Sequence, residues 1–226
     1  MKILALDTAN NSASVAISDG EKILAYKEEL RPGMQAETIM PMIETALEEA
    51  GLSYTSIDYL AVTNGPGSFT GIRIGLSVAK GILFGTNIKG IAVSNFELSY
   101  YRATQQIKNY DKFYIFLNAY RGQLYTQIFD KNSDVSLSSL INYDEAINML
   151  FSQECSIACA GSGLEFIFNY VQHLPNLSLL PRFARVKAMH ICKYVYTKLL
   201  LKHSLNNIIH PLYIRPPDAK IKLFTT

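Results

Sequence analysis

Ala61-Val62-Thr63-Asn64-Gly65-Pro66-Gly67-Ser68-Phe69-Thr70-Gly71 decides how the rest of the chain is read. Tyr59 to Val62 is apolar and reads as the end of a buried strand, which Gly65-Pro66-Gly67 breaks sharply. Ser68 and Thr70 carry hydroxyls suited to capping a helix start. From Gly71 to Gly85 two stripes recur at helical spacing: the small residues Gly71, Gly75 and Ala79, and the apolar residues Ile72, Leu76, Ala79 and Leu83. A helical glycine costs about 1 kcal/mol relative to alanine, so Gly71, Gly75 and Gly81 need a reason. Close approach of another helix, or of a ligand, would supply one. The turn itself admits two readings. It is an anion site, because free N–H groups and the dipole at a helix start attract phosphate, or a tight turn whose glycines only satisfy backbone geometry. Neither the Gly-Lys-Ser/Thr ending of a P-loop nor a G-x-G-x-x-G spacing is present, which favours the second.

Upstream, residues 2–8 form an apolar strand ending in Asp7 and Thr8, and 12–19 alternate through Ala13, Val15 and Ile17. Asp19-Gly20 turns the chain into a third strand over 22–30. Ala36, Ile39, Met40, Ile43, Ala46, Leu47 and Ala50 then recur at helical spacing up to Gly51, with Pro41 either housed early or kinking that helix. Downstream lie a strand at 90–93 and a helix over 95–107. The order β-β-β-α-β-α-β-α is that of the ribonuclease-H-like unit shared by actin, sugar kinases and Hsp70-type ATPases. Those ATPases use two such units. Here the second half is thinner: strands at 112–118, 123–129 and 156–160, a short helix at 143–150, helices near 164–172 and 184–202, and a proline-broken tail from Pro211 to Lys220. No Asp-x-Gly-x-Gly element occurs in it. The fold expected is α/β with two ribonuclease-H-like subdomains, the second reduced: 1–108 plus 204–226, and 109–203.

A 226-residue chain with 49% hydrophobic and 18% charged residues has an ordinary globular balance and ample core. Three cysteines without a C-x-x-C pair, and no apolar run long enough to cross a bilayer, lead us to expect a cytoplasmic protein with no membrane partner. Charge is uneven: from Arg182 onward there are nine Lys/Arg against one acid, Asp218. Such an end can meet an acidic partner or RNA, although the helical spacing of its apolar residues favours a solvated basic helix face.

Candidate chemistry is sparse. Asp7-Thr8 can hold magnesium or polarise water, or Asp7 can simply bind the N–H groups of its own turn; no second carboxylate is placed to help it. His173, His190, His203 and His210 show no ligand spacing, so no metal is expected. Gly161-Ser162-Gly163 either lets an adenosine approach the backbone or is a strand-to-helix turn. Tyr120-Arg121 can stack on a base. A peptidase lacks any nucleophile–base pair. The alternative enzyme reading is a nucleotide-binding ATPase or kinase acting through Asp7, Thr8, Arg121 and the 65–71 turn.

Leu4-Ala5-Leu6-Asp7-Thr8, Glu37-Thr38-Ile39-Met40-Pro41-Met42-Ile43, the Gly65 to Gly75 run and Pro211-Leu212-Tyr213-Ile214-Arg215 together resemble the TsaB (YeaZ) family. The likeness is dense from 1 to about 100. The resemblance implies a non-catalytic subunit that pairs with a TsaD-like enzyme and, with a TsaE-like ATPase, forms N6-threonylcarbamoyladenosine in tRNAs reading ANN codons. It implies no cofactor for this chain, with ATP and a transition metal in the partner subunits, and tRNA met only through the complex. The metal-binding His pair of the TsaD family corresponds here to Asn95 and Ser99, which cannot replace two imidazoles. Gln35 stands where the family often has His. The expected partner surface lies on the helices over 35–50 and 70–85: Glu37, Met40, Ile43, Glu44, Leu47, Gly71, Gly75, Val78, Ala79 and Ile82. A homodimer would use the same surface.

Overall fold

Alternating side chains at the start of the chain give β1 (Lys2–Asp7) two different faces, and each face recruits its own helices. In the computed structural model, which describes residues 1–131, 135–180 and 185–215, β1 pairs antiparallel with β2 (Ala13–Asp19), and β2 with β3 (Lys22–Glu29). On its other edge β1 pairs parallel with β4 (Tyr59–Thr63), and β4 with β5 (Lys89–Val93). The sheet order is β3-β2-β1-β4-β5. Parallel neighbours need crossovers, supplied by α1 (Gln35–Ala50) and α2 (Phe69–Phe84). Ile39, Ile43, Ala46, Ile72, Leu76 and Ala79 on those helices bury against Leu4, Leu6, Val15, Leu60 and Val62. Ile3, Ala5, Ala16, Ala61 and Ile91 point the opposite way.

That opposite face is covered by α3 (Asn95–Ala103) and by α6 (Ala188–Leu200), whose Ala188, Ile191, Cys192 and Val195 pack on it. Here the structure departs from the expected layout. The helix placed with the second subdomain over 184–202 lies on the first sheet, because its apolar stripe fits the odd-numbered side chains of β1. Helix α3 ends at Ala103, short of 107.

A second five-stranded sheet follows, β10-β9-β6-β7-β8, from β6 (Lys112–Asn118), β7 (Gln123–Asp130), β8 (Ser139–Asn142), β9 (Ile157–Ala160) and β10 (Leu177–Leu179). One side packs on α4 (Tyr143–Phe151) and on the single turn of α5 (Phe168–Val171). The helix expected over 164–172 is thus a 3-10 turn followed by α5. Phe96 and Ala103 of α3, with Leu212 and Ile214 of the tail, cover the other side. The molecule therefore has two mixed α/β sheets of the ribonuclease-H-like kind, and the second carries the shorter helices.

Candidate functional site

The 61–71 turn is built around contact with the β1–β2 loop. Gly65 adopts φ 117°, and a Cβ there would lie 2.8 Å from the Leu212 carbonyl oxygen. Ser68 N–H donates to the Ala9 carbonyl at 2.8 Å, and Ser68 Oγ accepts from Gly71 N–H at 3.2 Å as the cap of α2. A side chain at Gly71 would overlap the Thr8 carbonyl oxygen, and one at Gly75 would overlap Thr8 Oγ1. Thr8 Oγ1 in turn donates to the Gly71 carbonyl at 2.7 Å. These two glycines bring the start of α2 onto Thr8.

Asp7 is sealed beneath them at 1% exposure. Its Oδ1 accepts from Thr63 Oγ1 at 2.6 Å and from Ala9 N–H at 3.3 Å, and its Oδ2 from Asn10 at 3.2 Å. Burial raises its pKa above the usual carboxylate value, against the pull of those three donors. Asp7 and Thr8 thus knit three segments together from inside. Arg121 lies far along the chain on the exposed β6–β7 hairpin, where Tyr120 (φ 59°), Arg121 (φ 56°) and Gly122 (φ 73°) are all left-handed. The structure brings Asp7 and Thr8 together and leaves Arg121 at a hairpin tip.

Between the sheets runs a cleft of about 690 Å³, lined by Phe69, Arg73, Asn118, Tyr120, Tyr213 and Arg215 among others. Asn11 Nδ2 donates to Tyr120 Oη at 3.1 Å, tip to tip across it. The tail then crosses as a strap. Asn206 bridges to Ala92, Asn64 Nδ2 donates to the His210 carbonyl at 3.0 Å, and Leu212 N–H donates to the Asn64 carbonyl at 2.8 Å. Arg73 donates to Tyr213 Oη at 2.9 Å and stacks over Phe69, while Arg215 reaches Gln123 at 2.7 Å. Gly161 and Gly163 pack on Phe116 and Leu124 of the second sheet, so 161–163 is a strand-to-helix turn. Asn95 is buried and donates to the Pro66 carbonyl at 2.8 Å; Ser99 is buried as well. Among the described residues no group of three or more His, Cys, Asp or Glu side chains could hold a metal ion.

On α1 and α2, half of the expected partner residues turn inward. Ile43, Leu47, Gly71, Gly75 and Ala79 are buried in the chain's own core, because the apolar stripe of each helix and the two glycines face the sheet and Thr8. Glu37, Met40 and Glu44 are exposed, and Val78 and Ile82 half-buried. Between them lies a shallow apolar groove of about 370 Å³ lined by Met40, Tyr54, Val78, Gly81, Ile82 and Gly85. Gly81 has open space where a Cβ would be. Phe84, on the same helix, is 96% exposed. Gly81 lies outside the Gly71, Gly75 and Ala79 spacing, so that stripe does not place it on this surface.

A family model described as TsaD, tRNA N6-adenosine threonylcarbamoyltransferase, matches residues 34–218. The chain is 43% identical over 94 residues to the tRNA threonylcarbamoyladenosine biosynthesis protein TsaB of Escherichia coli K12, an alignment covering 42% of this chain and 40% of that protein. Against TsaB of Bacillus subtilis it is 28% identical over 130 residues, covering 57% and 55%. The chain thus spans roughly two fifths to three fifths of the length of such relatives. Among solved structures, YeaZ from Pseudomonas aeruginosa superposes with a TM-score of 0.71 at 22% identity, covering 94% of this chain and 99% of that one. The ethanolamine utilization protein EutJ from Carboxydothermus hydrogenoformans gives 0.54 at 9%, covering 86% and 90%. At these identities the structural likeness speaks for the fold alone.

Proposed function

The chain belongs to the TsaD family of tRNA N6-adenosine threonylcarbamoyltransferase, and on that premise we propose that it is the non-catalytic, TsaB-type subunit that binds and activates a TsaD-like enzyme. The supporting observation is Gly81. An exposed helical glycine costs about 0.5–1 kcal/mol relative to alanine, and none of the described residues occupies the space it leaves. Beside Met40, Val78 and Ile82 it opens a groove that a partner's helix could enter closely. Glu37 and Glu44 are exposed on α1 about one turn to either side of Met40. The chemistry then resides in the partner, since Asn95 and Ser99 stand where an imidazole pair would hold its metal. ATP, the metal and a TsaE-like ATPase belong to the assembled complex, which also holds the tRNA. A homodimer through the same groove competes with the partner.

The test is co-purification with the TsaD-like subunit. Gly81→Leu and Met40→Glu each alter the groove at exposed positions outside the core, and both should abolish pairing while leaving the melting temperature within a few degrees of wild type. Retained pairing in both would place the interface elsewhere. Loss of threonylcarbamoyladenosine formation when this chain is omitted from a reconstituted reaction would show that it activates.

A further inference from the structure

From Arg185 to Arg215 the chain contains no Asp or Glu, yet it carries Arg185, Lys187, Lys193, Lys198 and Lys202. Helix α6, which carries Lys193 and Lys198, lies with its two flanks on the side of the first sheet opposite α1 and α2. Arg102 joins them from α3, its guanidinium donating to the Arg185 carbonyl at 3.3 Å. The crowding is visible at His190. Burial, followed by the charges of Arg102, Lys187 and Lys193, lowers its pKa to about 4. Among the described residues three carboxylates face this ridge: Glu28 of β3, paired with Arg185 and Lys187, Glu97 of α3, which accepts from Tyr194 Oη at 3.3 Å, and Asp130 of β7, which lines one cavity with Glu97 and Lys198. The named cations outnumber these carboxylates about two to one on and beside a helix about 20 Å long. Helix α1, across the sheet, is acidic instead, with Glu37, Glu44, Glu48 and Glu49 exposed.

We infer that this α6 ridge, with Lys193 and Lys198 at its centre, docks the phosphate backbone of RNA. The inference rests on the subunit reading above and assigns to this chain a direct share of the RNA contact. Lysines spread around the outer surface of a helix, Lys193 exposed and Lys198 half-buried over the Tyr194 ring, suit sequence-independent phosphate contact, which positions an RNA without reading its bases. Because ridge and groove lie on opposite faces of one sheet, the enzyme and the RNA can be held at once.

The experiment measures binding of a labelled tRNA transcript to the complex of this chain with its TsaD-like partner, across a salt series. The variants are Lys193→Glu/Lys198→Glu and, to avoid charge-driven unfolding, Lys193→Gln/Lys198→Gln. Removing two phosphate contacts should weaken binding about tenfold and lower the log–log salt slope by about two, with co-purification unchanged. Wild-type affinity and slope in both variants would overturn the inference and leave the subunit reading standing. So would loss of the partner with RNA binding intact, which would make the ridge a protein interface. Vesicles containing 30% phosphatidylserine form the third arm, and lysine-dependent binding to them but not to RNA would also overturn it. If the partner never co-purifies while the isolated chain binds RNA through these lysines, the subunit reading fails and the ridge assignment holds.

Discussion

Gly75 and Gly81 lie six residues apart on α2 and answer to different neighbours. At Gly75 a methyl group would meet Thr8 Oγ1, which is fixed by its bond to the Gly71 carbonyl. Gly75→Ala should therefore destabilise the chain by roughly 1–3 kcal/mol through overpacking. Gly81→Ala meets nothing and should stabilise it by about 0.5–1 kcal/mol, by gaining helix propensity and losing unfolded-state freedom. Urea melts of the two variants decide this; equal midpoints would refute the distinction. Spacing could not have made it. A stripe of small residues reports that something comes near, and Gly71, Gly75 and Ala79 look the same whether the visitor is a partner's helix or the chain's own loop. Asp7 is legible only so far for a similar reason: an Asp at a strand end is visible in the sequence, but Thr63, fifty-six residues on, which holds its Oδ1, is not.

Among the elements, α6 has an unusual start. Lys187 rather than Ser, Thr, Asp or Asn stands at its N-cap position; Lys187 N–H donates to His190 Nδ1 at 3.0 Å, and Ala188 N–H to the distant Ser14 Oγ at 2.9 Å. The His190 bond needs a neutral ring. Since folding lowers this pKa from 6.5 to about 4, the unfolded chain binds the extra proton, and the stability His190 contributes is complete above 6.5 and lost as pH falls toward 4. The melting temperature should drop over that window, and His190→Gln should flatten the drop; an unchanged slope in the variant would place the titration elsewhere. Elements with long, clean periodicity, such as β1 to β3, α1 and α2, were readable to within a residue or two. β8, β10 and α5 were not, because three or four residues of mixed exposure carry no period. The stripe of α6 was readable too, but a stripe says that a face is buried and not which sheet buries it.

At the scale of the whole molecule the strap is the organising contact. Tyr213→Ala removes the bond to Arg73 and the ring contact with Phe69, whose centroid lies 5.0 Å away. Amide exchange should then quicken at 64–73 and at 118–123, with β2 and β3 unaffected; protection unchanged at 64–73 would show that the strap holds nothing. Its position was hidden in the sequence, where the tail reads only as proline-broken and polar. The tip-to-tip bond between Asn11 and Tyr120 completes the lacing from the other end. Two lobes laced across one cleft by the strap and by the Asn11–Tyr120 bond have little room to hinge, so the proposed pairing would meet a shape already cast. Such a pairing would demand little rearrangement, leaving lost rigid-body freedom, side-chain ordering and desolvation as the main costs that surface fit has to offset.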